Sequence, residues 1–130
     1  MLECGSSRDS GYEVMREWLE NRPDHKALCV SAIFCFSDYV AYGVYNALAE
    51  YGLNVSDDVS VMGYDNNEYS EMISPALTTV DIFPYDIGKH AARIMLDILQ
   101  SGQLKSTDNA TRVILTPRLV ARNSVKKYCK

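Results

Sequence analysis

Two short apolar runs flank one helical pattern, and this order constrains the fold more than any other feature of the chain. Ala32-Ile-Phe-Cys-Phe36 stops at Ser37-Asp38. A helical pattern then runs to Gly52, and Val59-Ser-Val-Met-Gly-Tyr64 stops at Asp65. Strand, helix and strand in so short a span pair their strands in parallel through a right-handed crossover. Each strand then delivers a carboxylate, Asp38 or Asp65, to the C-terminal edge of the sheet. In an open α/β sheet that edge is where ligands bind. The sequence therefore points to a binding cleft, and it shows no catalytic group.

With 130 residues there is enough chain for one α/β domain with its own core. The net charge is −4 and the 13 Lys and Arg are scattered. A duplex-binding face needs clustered positive charge, so the chain by itself is a poor DNA binder. Cys4, Cys29, Cys35 and Cys129 form no C-x-x-C pair, which favours reduced thiols in a cytoplasmic protein over a disulfide or a metal site. Met1-Leu2-Glu3-Cys4 lacks the basic start and apolar run of a signal peptide, and no segment is long and apolar enough to span a bilayer.

Taken in order, residues 1–9 read as a loop entering a helix. Ser10-x-x-Glu13 fits a capping box, with Tyr12, Met15, Trp18 and Leu19 as its apolar face and Pro23 as its stop. Residues 24–26 are a polar turn. Leu28 to Val30 fits either an extra helical turn or the start of the strand. Ser37 suits the N-cap of the second helix and Asp38 its first turn, while Gly52 suits the left-handed position past its end. Val40, Val44, Ala47 and Leu48 form its core stripe. Tyr39, Tyr42 and Tyr45 form a second stripe, open to a subunit contact or a solvated face.

Asp65-Asn66-Asn67 reads as a turn, and residues 67–73 as a short helix closed by Ser74-Pro75. Leu77 to Asp81 reads as another strand. Pro84 or Tyr85 opens the longest helix, with Ile87, Ala91, Ile94, Met95, Ile98 and Leu99 on one face and Ser101-Gly102 at its end. A polar loop, 103–110, follows. Residues 111–121 read as extended; Pro117 within them marks an edge strand or a crossing between sheets. The rest is a polar tail.

The chemistry-bearing residues are few. His25 and His90 have no nucleophile setting beside them. No glycine-rich phosphate loop follows a strand, and no Cys/His set has zinc spacing, so no cofactor and no metal are expected. The candidates are Ser37, Asp38 and Asp65 at the strand ends, open to two roles, capping and ligand contact.

The order of segments is similar to that of the LacI/GalR family of bacterial transcription regulators. Ala32-Ile-Phe-Cys-Phe-Ser-Asp38 with Ala41-Tyr-Gly43 resembles its "AIFxxND…ALG" run. Gly52-Leu53 with Asp58-Val-Ser-Val-Met-Gly-Tyr-Asp65 resembles "GL…P-x-D-V-S-V-x-G-F/Y-D-D". Ser74-Pro-Ala-Leu-Thr-Thr-Val80 resembles "P-P-L-T-T-V". Gly88-x-x-Ala-Ala92 and Leu119-Val-Ala-Arg122-Asn-Ser124 complete the set, which covers residues 10–124.

The resemblance implies an open, mainly parallel α/β sheet flanked by helices, a Rossmann-like half of a periplasmic-binding-protein-like core. Residues 1–81 are expected to be the C-terminal effector-binding subdomain, incomplete. Residues 82–116 would be the crossing segment and a helix of the other subdomain, and 117–130 the return strand and tail. The helix-turn-helix headpiece is expected to lie outside this chain. Operator DNA would be met only through that headpiece, by a homodimer, under control of a small-molecule effector such as a sugar or related polar metabolite.

The resemblance assigns Asp65 to effector hydroxyls, with Ser37 and Asp38 nearby. Ser37 stands where the family usually has an asparagine, and Ser6 falls near a position often occupied by a stacking aromatic ring. Ile82, Phe83 and Pro84 match the crossing segment that lines the cleft. Tyr42, Tyr45, Tyr69, Met72 and Ile73 lie in segments that pack across the family's dimer. The helix after Pro84 normally packs in the other subdomain. Its face led by Ile87, Ile94 and Ile98 is therefore expected to be covered by a second copy or by swapping. Two other function classes share the fold: a sugar-binding protein of a transport system, and a doubly wound enzyme.

Overall fold

The computed structural model describes residues 1–22, 28–101 and 112–127. Pro23, the 24–26 turn with His25, the 103–110 loop, Gly102, Thr111 and Cys129 lie outside them. The elements are helix α1 (Arg8–Glu20), strand β1 (Ala32–Phe34), helix α2 (Asp38–Glu50), strand β2 (Ser60–Met62), a 3-10 turn (Glu68–Glu71), strand β3 (Thr79–Asp81), helix α3 (Pro84–Ser101) and strand β4 (Arg118–Val120). The chain divides into two compact units, Met1–Asp81 with Arg118–Lys130, and Ile82–Pro117.

In the first unit β1 and β2 pair in parallel, with Ala32 opposite Ser60 and Phe34 opposite Met62. α2 is the crossover between them. Parallel bridges Met62–Thr78 and Asp65–Asp81 continue the order to β3, and β4 closes it antiparallel, Asp81 facing Arg118. The fold is thus the α/β arrangement with a mainly parallel sheet that the strand-helix-strand pattern implies. Val59, Val61, Leu77, Leu19 and Leu48 are fully or nearly fully buried and, with the Val40, Val44 and Ala47 stripe of α2, make the core.

α1 lies along α2 closely enough that glycine is required on both sides. A Cβ on Gly11 would collide with the Val40 carbonyl, and one on Gly43 with the Arg8 carbonyl and the Tyr12 amide. The start of α1 lies a turn before the expected one. Ser7, not Ser10, is the N-cap: its Oγ accepts from the Ser10 amide at 3.1 Å, and Ser10 Oγ donates back to the Ser7 carbonyl at 2.8 Å. Starting a turn earlier places Asp9 in the first turn, where the helix dipole favours it. The helix ends at Glu20, before Pro23. There the Asn21 amide group donates to the Glu17 carbonyl at 2.9 Å.

The second helix follows expectation more closely. Ser37 Oγ accepts from the Val40 amide at 3.3 Å, Asp38 occupies the first turn, and Gly52 takes φ +67 past the C-cap. Leu28 to Val30 form no regular element. Among the described residues 112–121, Arg118–Val120 join a ladder, with Pro117 just outside, because a proline cannot donate within it. In the second unit, Phe83 at φ +53 offers its carbonyl to the Ile87 amide at 3.0 Å, and Pro84 opens α3 as its first residue. No residue of α3 is buried: Ile94 and Ile98 are half-buried, and Ile87, Met95 and Leu99 are exposed.

Candidate functional site

Parallel pairing brings the loops after β1 and β2 to the same edge. The Cys35 amide donates to Met62 O and the Asp38 amide to Tyr64 O, both at 2.8 Å, so the two loops lie side by side. β3 joins the edge through the Gly63 amide on Thr78 O at 3.0 Å and the Asp65 amide on Val80 O at 2.9 Å. The rim therefore carries Ser37-Asp38, Asp65-Asn66 and Asp81 from three neighbouring strands.

Asp38 sits inside this rim with no exposed surface. Its Oδ2 accepts from the Asn67 amide at 2.7 Å and from Ser70 Oγ at 2.6 Å, and its Oδ1 accepts from Thr79 Oγ1 at 2.6 Å. Because the Ser70 proton goes to Asp38, the Tyr42 hydroxyl, 2.9 Å away, donates to Ser70 Oγ. Such a chain of hydrogen bonds polarises each member in turn. Gly63 leaves the room for it, since a Cβ there would collide with Asp38 Oδ1. The reading of Asp38 as a group that touches a ligand does not fit this geometry. Its carboxylate has no face to offer a solute, and it ties α2 to the turn after β2 and to β3.

Asp65 differs. It is half-buried, and the two residues of its turn have positive φ, +110 at Asp65 and +56 at Asn66. Asp and Asn tolerate such backbone better than other non-glycine residues, yet it costs energy and must be held. The holding groups are visible. The Asn66 amide donates to Thr79 Oγ1 at 3.3 Å, and Arg122 Nη2 donates to Asn66 Oδ1 at 2.9 Å. Burial, and then the negative charge of Asp38, push the Asp65 carboxyl above its ordinary range. An acceptor of this kind, fixed at a sheet edge and partly open, suits the hydroxyl or N–H groups of a polar solute.

The other predicted residues take varied places. Ser37 is buried with its hydroxyl engaged in capping. Ser6 is exposed in the bend before α1. Ile82 and Phe83 are half-buried and Pro84 exposed, all in the second unit. Of the tyrosine row, Tyr42 belongs to the interior, while Tyr45 is half-buried and donates to the Pro75 carbonyl at 3.1 Å. Burial pushes the Tyr45 phenol up to about 12. Tyr69 and Met72 are exposed and Ile73 half-buried. A hollow of about 670 Å³ is lined by Tyr39, Tyr42, Tyr45, Tyr69 and Ile73.

Sequence reasoning missed the residues that hold the rim. Ser70, Thr79 and Asn67 gather on Asp38, and the supposed polar tail is built in. Ser124 is fully buried: its Oγ donates to Val61 O at 2.6 Å and accepts from the Thr78 amide at 2.7 Å. The signal lies in Leu119-Val-Ala-Arg122-Asn-Ser124, where the family resemblance runs on to Ser124. Among the described residues no group of three or more His, Cys, Asp or Glu could hold a metal ion, and no helix is long and apolar enough to cross a membrane.

The sequence profile of the periplasmic binding protein-like domain matches residues 3–125. The HTH-type transcriptional repressor PurR of Vibrio campbellii is 40 % identical over 110 residues, 84 % of this chain and 29 % of that repressor. A LacI family transcriptional regulator from Enterococcus faecium with bound ribose superposes with a TM-score of 0.82 at 28 % identity, covering 96 % of this chain and 42 % of the other. The lac repressor dimer bound to operator and the anti-inducer ONPF superposes with a TM-score of 0.75 at 27 % identity, covering 93 % and 39 %. The chain thus spans about a third of the length of such a repressor. It belongs to the periplasmic binding protein-like domain family, and within that family it is similar to LacI-type transcriptional regulators.

Proposed function

We propose that this chain is the part of a LacI-type, DNA-binding transcriptional regulator that carries one side of the small-molecule effector cleft. The observation that carries the reading is the Asp65 turn. It stands at the C-terminal edge of a parallel sheet, where ligands bind in open α/β folds, with its carboxylate half-open and its backbone held left-handed. The ribose-bound E. faecium regulator supports a sugar or related polar metabolite as the effector class. Asp65 would accept from its hydroxyls. The reaction is binding, not turnover, in the cytoplasm.

In this reading the Tyr69, Met72 and Ile73 surface, with the outer edges of Tyr42 and Tyr45, faces a second copy, as the lac repressor's recorded dimer suggests. Operator DNA is met by a headpiece outside this chain. Coupling arises because the effector binds closed and open cleft states differently. The test is Asp65→Ala in the full-length regulator. Response to inducer is abolished while operator binding stays intact. Unchanged induction would leave Asp65 as a turn residue and remove the reading's central contact.

A further inference from the structure

Arg122 lies 56 residues beyond Asn66 in sequence and touches the same turn. Its backbone is fixed first. The Arg122 amide donates to Thr78 Oγ1 at 2.9 Å, the Asn123 amide to Ala76 O at 3.0 Å, and Ser124 is locked between β2 and Thr78. From that anchor the guanidinium reaches three acceptors. Nη1 donates to Leu77 O at 2.9 Å, and Nη2 donates to Asn66 Oδ1 at 2.9 Å and Glu71 Oε1 at 2.8 Å. The Arg122 side chain is only 10 % exposed whereas that of Glu71 is 75 % exposed. The ion pair is therefore the weak arm, and the buried arms to Leu77 and Asn66 dominate.

We propose that Arg122 is a positioning residue for the Asp65 turn: carried in by the return segment after β4, it grips Asn66 and thereby sets where Asp65 stands on the rim. The rigid fork of a guanidinium is needed because the acceptors belong to three separate stretches, the turn, the end of the 3-10 segment and the strand into β3. Lysine offers a point charge and no such fork. The importance of that position for regulation rests on the reading of Asp65 given above, but the grip itself does not. The two can fail separately, since the grip is read on this chain without any effector.

The experiment uses isotope-labelled protein and three variants. In Arg122→Gln, exchange of the Asn67 and Ser70 amides accelerates about tenfold or more, the size expected from one lost charge-assisted hydrogen bond, while amides inside α2 change less than about threefold. The Asp65 carboxyl titration, followed by carbon NMR, moves down toward the ordinary carboxylate range as the turn opens to water. Arg122→Lys recovers only part of both effects. Asn66→Gly removes the acceptor without a left-handed penalty, so it reproduces the local acceleration with the arginine still present and keeps the test valid if Arg122→Gln does not fold. Acceleration spread evenly through α2, or an Asp65 titration that does not move in any of the three, would overturn the proposal.

Discussion

Replacing Asp38 by asparagine removes one charge and almost no volume, so it isolates what the buried carboxylate does. The carboxylate accepts from Asn67, Ser70 and Thr79 at 2.6 to 2.7 Å. An amide has a single acceptor oxygen. With that oxygen toward Asn67 and Ser70, its NH2 meets Thr79 Oγ1, whose proton loses its acceptor. Turned over, the NH2 meets the Asn67 N–H, which cannot rotate away. A hydrogen bond to a charged group is worth roughly 1 kcal/mol more than a neutral one, so weakening three costs about 3 kcal/mol. Burying a neutral amide costs less than burying a charge and offsets about 1 kcal/mol of that. The net loss is about 2 kcal/mol, a large part of the roughly 5–15 kcal/mol that holds a domain folded. In urea unfolding this lowers the midpoint by about 1 M with little change in slope. Exchange of the Asn67 amide accelerates by more than the global loss requires. A midpoint within about 0.3 M of the parent would refute the argument that the rim is held through the charge on Asp38.

Three further outcomes follow from the same geometry. For Asp65, whose folded-state carboxyl is raised, the linked stability is present below the ordinary carboxylate range and is lost as pH rises through the raised value. Asp65→Asn is therefore stabilising relative to the parent at pH 7, and the advantage shrinks as pH falls toward about 4; urea midpoints at both pH values measure it, and an advantage that does not shrink would refute the assignment. Burial pushes the Cys35 thiol up to about 12, so at pH 8 a thiol reagent labels the exposed Cys29 rapidly and Cys35 only on unfolding, as peptide mass mapping reads. The uncovered face of α3, with Ile87, Met95 and Leu99 exposed, leads to association at micromolar concentration; a clean monomer in sedimentation would show that the face tolerates water.

The strand-helix-strand order was legible because each element carried its own local signal. β-branched and aromatic residues marked β1 and β2, Ser37 and Gly52 bracketed α2, and Pro84 marked the start of α3. The first helix was misplaced by a turn because Ser6-Ser7-Arg8-Asp9-Ser10 offers several caps. Their local pattern does not separate them, and the cap falls on Ser7, whose Oγ accepts from the Ser10 amide. From its place after a strand, Asp38 reads either as a cap or as a ligand group. Nothing local told that Ser70 and Thr79, 32 and 41 residues away, would close over it. The segment after residue 121 reads as a polar tail because its composition is mostly polar. Composition cannot separate a polar residue in water from one whose every donor is matched inside, as Ser124 is.

The asymmetry between the two carboxylates separates a structural role from the ligand contact proposed for this edge. Both follow parallel strands, and their loops are joined by the Asp38 amide on Tyr64 O. One of them, Asp38, is enclosed and accepts three hydrogen bonds from the protein, which tie the turn after β2 to β3. The other, Asp65, is left half-open on that fixed turn, in a backbone conformation that would relax if the enclosing contacts were removed. A single buried acceptor thus converts three chain segments into one rigid support, and rigidity is what a rim contact needs to discriminate one solute pose from another. Loss of Asp38 and loss of Asp65 should therefore act differently. The first should loosen the turn and lower stability, and the second should leave the turn in place with nothing on it to accept.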